Sequence, residues 1–110
     1  MSSHLPRDDN GFPIPVLSLR PDGAHKIAAG PVSQKNAAAF AATTRVVSIY
    51  ATGPVFMRFG GADVTAAATD HYFPAGVYYD FSVQADQVKY THAAFLQAAT
   101  GCDVYISEKE

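Results

Sequence analysis

The four histidines are the side chains of this sequence that could most readily bind a metal ion. They are His4, His25, His71 and His92. Two histidines that share a metal usually stand at HxH or HxxxH spacing, and cysteine ligands usually stand as CxxC. None of these spacings occurs in the chain. The sequence therefore predicts no metal site and no bound cofactor.

The candidates for acid–base or nucleophilic catalysis are also poorly arranged. Asp70 and His71 are adjacent, and in a strand adjacent side chains point to opposite faces. Cys102 is the only cysteine, which excludes an intramolecular disulfide, and a small buried side chain is the commoner role at such a position. The FGGAD sequence at 59–63 lacks the full glycine pattern of a phosphate-binding loop. We therefore expect that the protein is not an enzyme.

An alternation of apolar side chains from residue 44 onward predicts a series of short strands. Turn sequences containing Gly or Pro separate the apolar runs, at 52–54, 60–61 and 74–76. Each run has one apolar face, which is typical of two sheets packed on a shared core. The sequence thus predicts an all-β fold, an antiparallel, jelly-roll-like β-sandwich over residues 31–110. The segment 36–42 (NAAAFAA) fits either a short helix or a strand.

The other face of the predicted strands is rich in aromatic residues. These are Tyr50, Phe56, Tyr78, Phe95 and Tyr105. Tyrosine combines an apolar ring with a polar tip and suits partly hydrated interfaces. For any single tyrosine, simple cross-strand pairing on an exposed sheet is the slightly better explanation. As a set, they favour a contact surface.

The proline content of the first thirty residues predicts an extended N-terminal arm over residues 1–30. Residues 1–31 hold five of the seven prolines, and proline removes the amide donors that a central strand needs. An RPDG sequence at 20–23 predicts a reversal of the chain. A disordered tail is the alternative, although such tails usually have low hydrophobicity. The arm nevertheless carries apolar residues at almost alternate positions, and we expect them to lie on another surface: Phe12, Ile14, Val16, Leu17 and Leu19.

Composition limits the partners that such a protein could have. A chain of 110 residues fits one folded core. The net charge of −2, with basic residues scattered along the chain, argues against nucleic acid. No apolar stretch is long enough to cross a membrane, and the start lacks the pattern of a secretory signal. Only 16% of residues are charged, which fits either burial against neighbours or simply an alanine-rich composition.

From residue 45 the chain reads RVVSIYATGPVFMRFGGADVTAAATDHYFPAGVYYDFSV, and it closes with CDVYISEKE. This succession resembles small structural proteins encoded in the morphogenesis regions of tailed phages and prophages. In that family a V-S-L-Y-A strand leads into P-V-x-V-R-F-G, then D-x-x-F-P-A-G and a strand ending in D-F. The corresponding positions here are 48–51, 54–60, 70–76 and 80–81. The resemblance extends over about residues 12–110, because GFPIPVLSLRPDGAHKIA is similar to the opening arm of the family.

The resemblance implies a virion protein without catalytic residues, attached to the capsid surface as a decoration or cement protein. It would be made in the bacterial cytoplasm and would contact the major capsid protein or other virion proteins. A homo-oligomer is expected, with a trimer as the first expectation. A head–tail connector or tail-associated protein is the alternative within the virion. A small carbohydrate-binding sandwich, with Tyr50, Tyr78 or Tyr79 as stacking platforms, is the alternative from another class.

Overall fold

The computed structural model describes residues 17–85 and 87–109. Branched and aromatic side chains such as Val, Ile, Tyr and Phe dominate the longer runs, and such residues favour extended backbone. Ten strands follow one another along these residues: β1 (Leu19–Ala29), β2 (Gln34–Lys35), β3 (Val46–Ala51), β4 (Val55–Gly60), β5 (His71–Phe73), β6 (Tyr78–Ser82), β7 (Gln84–Ala85), β8 (Val88–Lys89), β9 (His92–Gln97) and β10 (Cys102–Lys109).

Eight of the strands form two four-stranded antiparallel sheets. Sheet 1 has the order β1-β10-β3-β6, sheet 2 has the order β2-β9-β4-β5, and β7 pairs with β8 as a separate hairpin. Most strands that follow each other in the chain, such as β3 and β4, belong to different sheets, whereas β4 and β5 pair with each other within sheet 2. This alternation between two sheets of four strands is the arrangement of a jelly roll. The predicted antiparallel, jelly-roll-like β-sandwich is confirmed.

The core lies between the sheets and consists of alternate residues from their strands. Val47, Ile49 and Ala51 of β3 are buried, as the alternation predicts. Phe95 of β9 is also completely buried, so its predicted place on the outer aromatic face is wrong. It pairs in register with Met57, a core residue of β4, and directly paired residues share a face of the sheet. The core cluster comprises Ile27, Ala29, Phe40, Val47, Ile49, Ala51, Val55, Met57, Val83, Ala93, Phe95, Val104 and Ile106.

The strand β1 belongs to sheet 1 and not to a separate arm. Leu19 and residues 24–29 of this strand pair with β10, and its Ile27 and Ala29 lie in the core. The predicted boundary between residues 30 and 31 is therefore wrong for residues 19–29. The RPDG sequence at 20–23 does not reverse the chain either. It lies within β1 and is accommodated by a shift of register between Leu19 and Ala24.

The segment 36–45 joins sheet 2 to sheet 1 and forms neither of the two elements that its sequence left open. The side-chain oxygen of Asn36 accepts a hydrogen bond from the Ala93 amide at 2.8 Å, and its NH₂ group donates to the Thr91 carbonyl at 3.3 Å. The Phe40 amide donates to the same carbonyl at 2.9 Å. Hydrogen bonds to Ala93 of β9 and to Thr91, just before that strand, thus take the place of the internal bonds of a helix. Nowhere in the described chain is there a helix long and apolar enough to cross a membrane.

Candidate functional site

Three of the predicted interface tyrosines lie side by side on the outer face of sheet 1. Tyr50 of β3 pairs in register with Tyr105 of β10 on one side and with Tyr78 of β6 on the other. The ring centroids of Tyr50 and Tyr78 are 4.7 Å apart. Lys26 of β1 is paired with Tyr105 and places its Nζ 5.8 Å from that ring centroid. We call Tyr105, Tyr50 and Tyr78 the tyrosine row.

The tyrosine row is accessible, and two of its rings contact each other. Tyr78 is 71% exposed and Tyr105 is 41% exposed, while Tyr50 lies half-buried between them. Adjacent aromatic rings stabilise each other by about 0.5–1.5 kcal/mol beyond their buried area. Tyrosine also has few rotatable bonds, so little conformational entropy is lost when another molecule covers it. The row therefore has the properties of a preformed contact surface.

A groove of about 320 Å³, lined by both apolar and polar side chains, lies next to the row. The Asp80 carboxylate in it accepts a hydrogen bond from the Ser48 hydroxyl and another, at 3.1 Å, from the Lys109 ammonium. The hydrogen bond from Ser48, followed by that from Lys109, lowers the pKa of Asp80. Because these charges pair with each other, the groove offers polar contacts without a free charge of either sign. It is lined by Leu19, Ser48, Tyr78, Asp80, Ser107 and Lys109.

The other predicted interface residues do not join the tyrosine row. Phe56 lies on β4 in sheet 2, where its ring packs at 5.8 Å against that of Tyr72. Leu17 is 48% exposed and Leu19, at the start of β1, is 67% exposed. Only Leu19 reaches the groove beside Tyr78. The remaining members of the predicted arm surface lie outside the described residues: Phe12, Ile14 and Val16.

Tyr79 is not available as a platform for sugar stacking. It lies on the opposite face of β6 from Tyr78, and its ring packs at 5.0 Å against that of Phe73. Phe73 in turn packs on the core cluster. Of the three tyrosines predicted for this role, Tyr50 and Tyr78 share the outer face and Tyr79 does not.

A buried carboxylate that sequence reasoning missed lies near the C-terminal end of β10. Glu108 is only 2% exposed. Its Oε1 accepts hydrogen bonds from the Ala41 amide at 2.7 Å and the Thr44 hydroxyl at 2.6 Å, and its Oε2 accepts one from His25 Nε2 at 2.7 Å. Burial acts to raise the pKa of Glu108, but these hydrogen bonds outweigh it and lower the pKa. The carboxylate is therefore ionised at neutral pH.

The surroundings of Glu108 assign it a structural role. Lys89 donates a hydrogen bond to the Thr44 carbonyl, and burial lowers the pKa of this lysine while the nearby Glu108 acts to raise it. The His25 ring packs edge-on against Phe40 at 5.4 Å. The cluster thus joins β1, β8 and β10 to the segment 36–45. One signal could have located it, because Val104, Ile106 and Glu108 occupy successive inward positions of β10.

The other described histidines, His71 and His92, and Cys102 belong to no group of side chains that could hold a metal ion. His92 is buried, and its Nδ1 lies 2.8 Å from the Thr91 hydroxyl. Burial is the main cause that lowers the pKa of His92, and the charges of Lys35 and His25 lower it further. His71 is exposed, and burial raises the pKa of the half-buried Cys102 thiol. Within residues 17–85 and 87–109, no group of three or more His, Cys, Asp or Glu side chains could hold a metal ion. His4 lies outside these ranges.

Comparison with known proteins gives one similar solved structure and no family. No protein-family model and no curated protein matches the chain. The chain is similar to a solved structure described under "Bacillus endospore appendages form a novel family of disulfide-linked pili", with 17% identity and a TM-score of 0.46. The similarity covers 97% of this chain and 96% of that chain. A likeness of this strength supports no inference about function or assembly.

Proposed function

We propose that the protein is a non-enzymatic structural subunit of a particle built from many copies, and that the tyrosine row contacts a neighbouring molecule. The observation that carries this proposal is the in-register row of three tyrosines across adjacent strands, with Tyr78 and Tyr105 exposed and Tyr50 half-buried between them. Tyrosine is enriched at protein interfaces, because its ring buries apolar area while its hydroxyl still forms hydrogen bonds.

The charges near the row also suit a contact surface. A charge that is buried without a partner destabilises an interface by several kcal/mol. Asp80 and Lys109 already pair with each other, so covering the groove leaves neither of them without a partner. In a particle with many copies, such modest contacts are multiplied, and avidity replaces high affinity at any single site.

We further propose that the particle is that of a tailed phage and that the protein decorates its capsid surface. The resemblance of residues 45–83 and of the closing CDVYISEKE supports this assignment. The jelly roll is an architecture that viral capsid domains use, although lectins and other proteins use it as well. The major capsid protein is then the main partner, and a trimer is the oligomer that we propose. A head–tail connector or tail-associated protein is the alternative position in the virion.

The test uses phage-like particles produced with and without the protein and imaged by electron microscopy. Tyr78→Ser removes the most exposed ring of the row, and we expect about tenfold weaker occupancy of the particle, since tyrosines at interface centres often act as hot spots. Tyr72→Ser is the matched control, because Tyr72 is 56% exposed but lies on sheet 2.

Equal occupancy for wild type and Tyr78→Ser would refute the proposed role of the tyrosine row. If Tyr78→Ser instead abolished binding to a glycan while particle occupancy stayed unchanged, the carbohydrate-binding alternative would be favoured. The groove beside the ring of Tyr78, which contains Ser48 and Asp80, is the feature that makes this second outcome worth measuring.

A further inference from the structure

Strand β6 is an edge of sheet 1, and apart from β3 no strand of the described chain pairs with it. The Val83 amide donates a hydrogen bond to the Arg45 carbonyl at 2.8 Å, and these two residues extend the register of β6 and β3. In an antiparallel pair, only every second residue bonds to the partner strand. Tyr79 and Phe81 therefore bond to β3. The N–H and C=O groups of the even-numbered residues of β6 point to its open side.

A second hydrogen bond leads to the same assignment. The Thr52 amide donates to the Asp103 carbonyl at 2.9 Å, and these residues continue the register of β3 and β10. The even-numbered residues of β3 thus bond to β10, which leaves its odd-numbered residues for β6. Three residues of β6 consequently have N–H and C=O groups that face no partner strand among the described residues: Tyr78, Asp80 and Ser82.

Of the four edges of the two sheets, β6 is the one least protected against further pairing. Folded proteins usually protect an exposed edge with a proline, a lysine, a bulge or a very short strand. At the other edge of sheet 1, β1 contains Pro21, Lys26 and a shift of register. The edge strands of sheet 2, β2 and β5, have only two and three residues. Because β6 has five residues, no proline or lysine and an unbroken register with β3, its edge can accept another strand.

The side chains of β6 complement a second β6 strand in one particular register. Two such strands, antiparallel about a two-fold axis, must pair even-numbered residues with each other, because these carry the free main-chain groups. An axis at Asp80 would place two carboxylates opposite each other, which is unfavourable. An axis at Tyr79 instead places Tyr78 opposite Asp80 of the second copy, and the two Tyr79 rings cover each other. Asp80 keeps its hydrogen bonds from Ser48 and Lys109 in this register.

We propose that two copies of this chain pair through their β6 strands about a two-fold axis at Tyr79, so that the two copies of sheet 1 form one continuous antiparallel sheet. Tyr78 lies opposite Asp80 of the second copy, and this pair exchanges both of its main-chain hydrogen bonds. Tyr78 also lies diagonally opposite Tyr78 of the second copy, within reach of an aromatic ring, which joins the two tyrosine rows.

The inference goes beyond the proposed function, because it depends on the edge of β6 and not on a particle. The two-fold contact closes on itself. It gives a dimer alone, and it joins two trimers where three-fold contacts are also present.

The first test uses disulfide formation between full-length variants in which Cys102→Ser removes the natural thiol. One variant carries Tyr78→Cys and the other carries Asp80→Cys. A hydrogen-bonded pair has Cα atoms about 5.5 Å apart, which a disulfide can span. We expect a disulfide-linked heterodimer, identified by mass spectrometry, in the mixture under mild oxidation and no comparable product in either variant alone. In the control mixture Tyr72→Cys replaces Tyr78→Cys, because Tyr72 is 56% exposed but lies on sheet 2.

The second test removes the free N–H group at the edge. Asp80→Pro lacks this donor, whereas Asp80→Ala keeps it and loses the same carboxylate. Because the Asp80 N–H points away from β3, we expect both variants to fold, which circular dichroism checks. Sedimentation equilibrium measures their self-association. Asp80→Pro should associate about tenfold more weakly than Asp80→Ala, since symmetry removes the main-chain hydrogen bond from both copies.

A mixture without the heterodimer, or equal association of Asp80→Pro and Asp80→Ala, would overturn the inference. A disulfide formed by Asp80→Cys alone would overturn it as well, because the axis would then lie at Asp80. The proposed function fails separately. If the heterodimer forms but Tyr78→Ser leaves particle occupancy unchanged, the contact between copies holds and the proposed role of the row in the particle does not.

Discussion

At the scale of single residues, the environment of Glu108 has a clear consequence for stability. It is a carboxylate at 2% exposure, and its oxygens accept hydrogen bonds from donors on two different parts of the chain. Burying a charge is unfavourable unless such bonds compensate for it. Its His25 partner lies 83 residues away in sequence. Glu108 therefore stabilises the tertiary structure and not one local element.

We predict that Glu108→Gln lowers the free energy of unfolding by about 2–3 kcal/mol at neutral pH, because hydrogen bonds to a charged acceptor are lost. Gln keeps the volume of the side chain but has only one oxygen acceptor. The measurement is urea denaturation monitored by circular dichroism. Asp63→Asn removes an exposed carboxylate and is the control, with an expected change within about 0.5 kcal/mol.

The comparison of wild type with Glu108→Gln also gives a prediction for the pH dependence of stability. Since folding lowers the pKa of Glu108, the unfolded chain binds the proton more readily. The stabilisation is present above the unfolded pKa of about 4.3 and is lost as the pH falls through the lower folded pKa. The unfolding free energies of wild type and Glu108→Gln should therefore converge in acid. A difference that stays constant down to about pH 3 would contradict this mechanism.

At the scale of elements, the pairing of β1 with β10 depends on a close approach at Gly23. A Cβ atom at this position would lie 2.6 Å from the Cβ of Glu108 and 3.1 Å from that of Arg20. Both distances are shorter than ordinary carbon contacts, so a side chain here would separate β1 from β10. The absence of a side chain at Gly23 thus leaves room for the buried carboxylate beside His25.

We predict that Gly23→Ala lowers the free energy of unfolding by about 1–3 kcal/mol, as overpacking typically does. Gly30→Ala is the matched control, because a Cβ there would have no atom within 4 Å. That change should be neutral or stabilise the protein by up to about 1 kcal/mol, through a less flexible unfolded chain. Thermal unfolding of both variants compares them directly. Similar losses for the two glycines would show that the contact with Glu108 is unimportant.

The elements differ in how far the sequence could predict them. Alternation located β3 correctly, because Val47 and Ile49 are separated by the more polar Ser48. It also located β9 but assigned Phe95 to the wrong face of that strand, because Ala93 and Ala94 are both buried and small side chains on both faces give no clear period. It also could not detect the pairing of β1, since proline and glycine at 20–23 indicate a turn while the long-range partner strand is invisible to a local pattern.

The candidate site was predicted in part for a similar reason. Tyr50, Tyr78 and Tyr105 were each assigned to an outer face, and the structure brings them together. Their common row depends on the register of β10 and β6 against β3, which local alternation does not determine. Phe56 has the same local pattern but lies on sheet 2. The sequence therefore predicted the candidate residues. The order of the strands in the two sheets was needed to show that the tyrosines and Phe56 belong to different surfaces.

At the scale of the whole molecule, the two sheets share one core. The edge strand β1 contributes side chains to that core, so we expect the fold to require it. Ile27 and Ala29 contribute to the shared core, and His25 contributes to the Glu108 cluster. Without β1, one side of β10 and the buried face around Val104 would be exposed to water.

We therefore predict opposite results for two truncations. Removing residues 1–16 should leave a cooperative thermal transition close to that of the full chain, because β1 and the core are retained. Removing residues 1–29 should abolish the cooperative transition, since losing several buried side chains and a charged hydrogen-bond network can exceed the total stability of about 5–15 kcal/mol. Circular dichroism and calorimetry would compare the two. A folded 30–110 fragment would show that the sandwich does not need β1 and would restore the boundary that the sequence indicated.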